Sequence, residues 1–455
     1  MTFAESLQYL DTFTNYERLV SWPEQRAVRL DRMECLLHLL GDPHRTFRSI
    51  LVGGTKGKGS VCACLYAVLG EINLPVGLYT SPHLTSVCER IRRQHGGYAV
   101  EGQDWITEES LAELVSQWRA AINTVHREPA WGGLTYFEVL TALAFRHFAD
   151  HGVEWAVVEV GLGGRLDATN VLTPDVTVLT PISYDHVEVL GASLGEIARE
   201  KAGIIKPQGA VVVAKQLPEA QAVIDDIVQA RSAAARREGP DFLVGEVRVD
   251  AQGTRATVAG WFGATQQIQL SLIGAHQAQN AFLAVAALEI LRERGLPLTP
   301  EAITSGLKRA RWPGRFEVMR RSPWVILDGA QNTASAKALA ETVRAVFPAA
   351  RATVILGVSQ PKDLAGIIHA LAPIADGVIA TQAQHPRAYP AADVAQACQA
   401  EGLFATPQPT VAAALTSATH GALADTLIII TGSLFVVGEA RQLLTTELKH
   451  WLAHT

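Results

Sequence analysis

Ile50-Leu51-Val52-Gly53-Gly54-Thr55-Lys56-Gly57-Lys58-Gly59-Ser60 joins a short apolar run to a glycine-rich turn, and a helical pattern then runs from about Ser60 to Ile72. Strand, glycine turn and helix form the local design of a phosphate-binding loop. Glycines let successive backbone N–H groups turn towards one anion, and the helix behind them adds its positive N-terminal end. In that reading Lys58 reaches the outer phosphates of a nucleotide and the Ser60 hydroxyl approaches Mg²⁺. The spacing is a variant. The common pattern closes Gly-Lys-Ser, whereas Gly59 stands between Lys58 and Ser60 here. A glycine-rich strand-to-helix turn carrying a solvated lysine satisfies the same pattern, so the rest of the chain has to separate the two readings.

Outward from the loop, apolar runs alternate with helical periodicity. Val76-Gly77-Leu78-Tyr79, Trp155-Ala156-Val157-Val158-Glu159-Val160 and Val176-Thr177-Val178-Leu179-Thr180 read as buried strands. Helices are expected over 30–40, 107–125, 135–150 and 276–292. The polar stretch 89–104 reads as a loop or edge hairpin. Strands separated by helices of this length imply a parallel sheet covered on both faces. Between Asp241 and Leu272 the pattern alternates polar with apolar, which predicts a small antiparallel appendix. Arg311-Trp312-Pro313-Gly314-Arg315 reads as a linker, because proline and glycine both interrupt regular structure. Beyond it the alternation restarts, with strands at 325–327, 353–356, 378–380 and 427–430. The expected fold is therefore α/β: a large P-loop-type doubly wound parallel-sheet domain over 1–311 with the antiparallel appendix, and a smaller Rossmann-like α/β domain over 312–455.

The bulk numbers agree. A chain of 455 residues is long for one core. A net charge of −6 gives no basic stripe for nucleic acid. Five cysteines without metal-ligand spacing suggest free thiols in a reducing compartment, and Cys62 and Cys64 read as core residues on different helix faces. Met1 to Ser6 lack the basic start and apolar run of a signal peptide. No run of about 18 apolar residues suggests a membrane span. A cytoplasmic protein is expected.

Polar residues gather where the strands end, the usual ligand position in open α/β sheets. Ser81 follows the second strand, Glu159 closes another, and Asp185-His186 follows the strand ending at Thr180. Hard cations take a few oxygen ligands together with water and phosphate. Ser60, Ser81 and Glu159 offer oxygens, and His186 a nitrogen. Taken singly, each also reads as a turn serine or a structural histidine. Their shared place beside the glycine loop carries the metal reading.

The ordered motifs resemble those of the folylpolyglutamate synthase/dihydrofolate synthase family, within the Mur ligase superfamily of ATP-dependent amide ligases. They run through nearly the whole chain: Gly54 to Ser60, Thr80-Ser81-Pro82-His83-Leu84, Glu89-Arg90-Ile91, Thr135-Tyr136-Phe137-Glu138, Glu159 to Asn170, Asp185-His186, Glu200 to Lys206, His276-Gln277 with Asn280, Trp312 to Arg315, and Leu327-Asp328-Gly329-Ala330. The resemblance implies that a carboxylate of a pterin-containing substrate attacks the γ-phosphate of ATP to give an acyl phosphate. The amine of L-glutamate then displaces phosphate to form an amide.

It implies Lys58, Lys201, His186 and Asp328 in catalysis. It implies Gly54, Thr55, Lys56, Gly57, Lys58, Gly59, Ser60, Asn280, Arg315, Asp328 and Gln331 around the nucleotide. Mg²⁺ would sit on Ser60, Ser81, Glu159 and His186, with a carbamate on Lys201 and a monovalent cation in addition. The partners implied are dihydropteroate or a reduced folate, L-glutamate and ATP, with no nucleic acid, no membrane and a monomeric chain. Two positions depart from the family pattern: Lys56 stands where asparagine is usual, and Gln331 where histidine is usual. The residues before Asp185-His186, with Tyr184 among them, differ as well. These departures keep open a Mur-type ligase for a different carboxylate, or a nucleotide-binding homologue without catalysis.

Overall fold

The computed structural model describes residues 1–19, 29–96, 102–261 and 264–446. Helices α1 (Phe3–Leu10) and α2 (Leu30–Leu39) lead into β1 (Arg48–Gly53). Then come α3 (Lys58–Gly70), β2 (Pro75–Tyr79), β3 (Ile91–His95), α4 (Glu108–His126), α5 (Tyr136–Asp150), β4 (Trp155–Glu159) and β5 (Val176–Leu179). The first sheet is completed through α6 (Val187–Leu190), α7 (Leu194–Ala202), β6 (Ala210–Val213), α8 (Pro218–Ala230) and β7 (Ala234–Arg237). Its strand order is β3-β2-β4-β1-β5-β6-β7. Every neighbour pair is parallel except β2–β3.

Alternation along β1 shows why these runs are apolar throughout. Leu51 packs into the core on one face of the sheet, while Ile50 and Val52 pack into the core on the other. A strand covered on both faces cannot alternate polar with apolar. Helices α4 and α5 contribute to the first of these cores and α3 to the second. Cys62 and Cys64 are fully buried in the second, and all five cysteines are free thiols.

Strands β8 (Leu243–Asp250), β9 (Gly253–Trp261) and β10 (Ala264–Leu270) form the antiparallel appendix, in order β10-β9-β8. Helices α9 (Ala275–Glu293) and α10 (Pro300–Arg309) return to the first sheet, where α9 covers the second core.

The C-terminal part runs β11 (Glu317–Arg321), β12 (Trp324–Leu327), α11 (Thr333–Val346), β13 (Ala352–Leu356), α12 (Leu364–Leu371), β14 (Ala375–Ala380), α13 (Ala391–Ala400), β15 (Ala405–Pro407), α14 (Val411–Thr419), β16 (Leu427–Thr431) and α15 (Leu434–Thr445). Its sheet order is β11-β12-β16-β13-β14-β15, parallel apart from β11–β12.

Both sheets thus carry one antiparallel edge that strict βα alternation does not predict. The stretch 89–104 contributes such an edge as β3, and its residues 97–101 lie outside the described residues. The segment 311–315 has no regular structure, but it is not a free linker: a Cβ on Gly59 would stand 2.5 Å from Trp312 Cζ2, so the Trp312 ring lies on the glycine loop. No helix of the described residues is long and apolar enough to cross a membrane.

Candidate active site

The glycine loop is shaped by its neighbours. Gly54 has φ +134°, and a Cβ there would come within 2.8 Å of the Thr180 carbonyl oxygen. Gly57 has φ +89°, and a Cβ there would collide with the Asn280 side chain. Only glycine fits both demands, left-handed backbone and close approach. Thr55 N and Lys56 N donate to Pro181 O at 3.1 and 3.4 Å, and Thr55 Oγ1 donates to Ser183 O at 3.2 Å. These two amides therefore hold the loop to the segment after β5. Helix α3 begins at Lys58 rather than near Ser60, and its first backbone bond runs from Val61 N to Gly57 O at 2.9 Å. The N–H groups of Lys58, Gly59 and Ser60 precede that bond, so they form the anion-binding end of the helix.

Charged side chains converge on this end. Lys58 Nζ lies 3.9 Å from Glu159 Oε1, and Ser81 N approaches Glu159 Oε2 at 3.4 Å. Burial pushes the Glu159 carboxyl above its usual range, with Lys58 opposing. Lys201 is 4% exposed, and its Nζ donates to Gly54 O at 3.1 Å. Burial, reinforced by the Lys58 charge, brings Lys201 down to about 7. Ser60 is buried one residue beyond Gly59.

A second group lies after β5. His186 adopts φ 51°, with Nε2 3.9 Å from Asp185 Oδ1. Burial lowers its basicity, against the pull of Asp185. Lys362 Nζ, carried by the C-terminal sheet, bonds Asp185 Oδ1 at 3.2 Å. Lys56 feels the Asp185 charge too, but burial is the larger effect and lowers its basicity.

The C-terminal part supplies the opposite wall. Asp328 closes β12, accepting from Phe316 N at 2.8 Å and Ala330 N at 2.9 Å. Burial raises its carboxyl, and Arg315 opposes that shift. The Arg315 guanidinium lies against Gly329 and donates to Gly314 O at 3.2 Å. Asn280 also bonds Gln277 Oε1 at 3.0 Å. Gln331 is half-buried, its backbone N donating to Ser335 Oγ at 3.0 Å at the start of α11.

The oxygen donors fit a hard cation. Glu159 is a buried carboxylate whose nearest cation stands at 3.9 Å, which leaves charge to neutralise. Among the described residues no three His, Cys, Asp or Glu side chains form a metal cluster. A cation here would therefore draw on hydroxyls and phosphate oxygens, the habit of Mg²⁺ rather than of zinc.

Lys58, Ser81 and Glu159 are thus brought together, as are Lys201 with Gly54, Asn280 with Gly57, and Arg315 with the Asp328 turn. Trp312 and Lys362 were not singled out from the sequence. Trp312 lies in the stretch Trp312 to Arg315, where proline and glycine read as a linker and the tryptophan carries no signal of its own. Lys362 carries no local signal, since its place depends on a contact with Asp185, far away along the chain.

The Mur ligase middle domain matches residues 107–288, and the Mur ligase glutamate ligase domain matches residues 314–434. The dihydrofolate synthase/folylpolyglutamate synthase of Mycobacterium tuberculosis is 38% identical over 450 residues, covering 93% of this chain and 91% of that protein. The chain belongs to the dihydrofolate synthase/folylpolyglutamate synthase family. A solved structure of the M. tuberculosis folylpolyglutamate synthase complexed with ADP matches with a TM-score of 0.87 at 34% identity, covering 97% of this chain and 98% of that one. E. coli FolC in complex with DHPP and ADP matches with a TM-score of 0.83 at 28% identity, covering 98% and 99% of the two chains. This enzyme is an ATP-dependent ligase.

Proposed function

We propose that this ligase joins L-glutamate to dihydropteroate or a reduced folate through an acyl phosphate. The observation that carries the reading is the convergence of Lys58, Lys201 and Glu159 on the N-terminal end of α3. Both steps of the reaction place negative charge on phosphoryl oxygens, and preorganised donors stabilise it. The amides of residues 58–60 and the Lys58 ammonium cradle the phosphates. Arg315 and Asp328 approach from the C-terminal side. Asn280 and Gln331 complete the nucleotide wall, and Trp312 keeps water from the loop.

Ser60, Ser81, Glu159 and His186 would hold Mg²⁺, which would supply positive charge to offset that of the phosphates. Lys201 would carry a carbamate: an amine brought to about 7 is about half unprotonated at neutral pH, and the free amine is the form that reacts with CO₂. We assign residues 1–311 and 312–455 to two domains with this site between them, in a monomeric cytoplasmic protein.

The test is a product assay by mass spectrometry with Mg-ATP, L-glutamate and either dihydropteroate or a reduced folate monoglutamate. A gain of one glutamyl unit on either acceptor is expected. No gain on either would overturn the reading. In the same assay Lys58→Ala should lower turnover by about 10²–10³-fold, the scale of losing a transition-state donor, with the melting temperature little changed. Full turnover by a folded K58A variant would refute the role given to the loop.

A further inference from the structure

The C-terminal sheet presents a second group of donors at the carboxyl end of β14. Arg387 O accepts from Gln360 N at 2.7 Å, and Tyr389 N donates to Val358 O at 2.9 Å. These bonds staple the 385–389 turn to the loop whose Lys362 reaches Asp185, so the turn borders the cleft between the domains. His385 stacks flat on Phe435, with ring centroids 3.7 Å apart and planes at 13°.

Two donors here have no acceptor among the described residues. Arg387 N donates to His385 Nδ1 at 3.2 Å. That fixes the neutral ring with its proton on Nε2, and burial together with the Arg387 charge holds the imidazole at about 4, hence uncharged at neutral pH. His385 Nε2 and Arg387 Nε are both buried without a partner. Arg387 forms no ion pair with any described residue. The nearby carboxylate of Glu17 is taken bidentately by Arg90, at 2.9 and 2.5 Å. A half-buried guanidinium without an anion is costly unless a ligand supplies one.

The phosphates of the nucleotide are not that anion. Strands β12 and β14 are separated by β16 and β13, three spacings or about 14 Å. Asp328 and Arg315 serve the β12 end, and Arg387 serves the β14 end. The carboxylate that is activated has to lie at the γ-phosphate, so the remaining anions of the reaction are the other glutamyl carboxylates.

We propose that Arg387, backed by the Nε2–H of His385, binds a glutamyl carboxylate in the interdomain cleft. The proposal rests on the glutamate-ligase reading above. The carboxylate belongs either to the incoming amino acid or to the glutamyl tail of a folate acceptor, and both present the same chemistry. Both donor atoms are covered in this conformation, so entry accompanies opening of the cleft.

The experiment compares wild type with Arg387→Ala and Arg387→Gln, the second keeping the bulk of the side chain without its charge. Steady-state kinetics would use dihydropteroate, which has no glutamyl tail, and a reduced folate monoglutamate. Loss of one charged hydrogen-bond partner predicts a rise in KM of about tenfold or more, with kcat within about threefold and the KM for ATP unchanged. A rise in the KM for L-glutamate with both acceptors assigns the incoming amino acid. A rise confined to the KM of the folate assigns the tail. Unchanged KM values for both, or a fall in kcat alone, overturn the proposal. Calorimetric binding of L-glutamate and of the folate monoglutamate to wild type and to R387Q is read separately from turnover. An inactive wild type that still binds either compound through Arg387 would sink the functional reading and leave this site standing. Equal binding of both compounds by wild type and R387Q would sink the site.

Discussion

At the residue scale, Lys201 is the side chain whose chemistry is most altered by the fold. Its ammonium is disfavoured by burial and by Lys58, and it falls from 10.5 to about 7. The unfolded chain therefore binds one more proton at this site between about pH 7 and 10.5. Stability consequently rises with pH across that window, by up to about 1.4 kcal/mol per unit from this group. Lys201→Met should flatten that slope, read as the difference in unfolding free energy between wild type and variant at pH 7 and pH 9.5. With CO₂ excluded, so that Lys201 is the free amine, identical slopes would show that it titrates normally. The motif Glu200-Lys201-Ala202 marks the position in the sequence. Its depressed basicity is not legible there, because it arises from burial in the folded chain and from Lys58, which is far away along the sequence.

At the element scale, helices whose ends are set by local chemistry are the readable ones. Thr135 caps α5 and Glu138 closes the capping box, so the expected start at 135 falls within one residue of Tyr136. The same Glu138 has a second role that no local pattern announces. It takes Arg32 of α2 in a buried bidentate pair, at 2.6 and 2.9 Å. Glu138→Ala would leave a guanidinium that is 1% exposed without its carboxylate. The expected loss is about 3–5 kcal/mol, measured by urea unfolding, and a loss below about 1 kcal/mol would show that the pair is dispensable.

Most strands fare according to their burial, but β6 (Ala210–Val213) is buried and is not among the runs read as strands. The doubly covered runs in β1, β4, β5, β12, β13 and β16 are apolar enough to be read directly. β7 (Ala-Ala-Arg-Arg) and β15 (Ala-Thr-Pro) escape notice, because edge strands need few apolar residues. β11 has the same cause with a register shift added, between Val318 and Arg320.

At the scale of the whole molecule, the site depends on how the two sheets face each other. The sequence shows two alternations and the break at Trp312-Pro313-Gly314, but not the contacts that fix their relation. Two contacts do so. One is the Lys362–Asp185 ion pair at 3.2 Å. The other is the approach of α15 to the loop after β2, where Gly438 lies directly against the Leu84 carbonyl and Gly314 would place a Cβ 3.2 Å from Leu84 and Val437 side chains. A methyl at Gly438 meets backbone rather than a flexible side chain, so relief has to come from displacement of α15 and the sheet it covers. That displacement would carry Arg315, Asp328 and Lys362 away from the glycine loop. A misplacement of about 1 Å in such a site costs up to about 10²-fold in rate, whereas overpacking one contact costs about 1–3 kcal/mol of stability. Gly438→Ala should therefore lower kcat/KM far more than it lowers stability, and hydrogen exchange should quicken around residues 311–316. If G438A keeps full kcat/KM while its melting temperature falls, the α15 contact serves folding alone and the geometry of closure is set elsewhere.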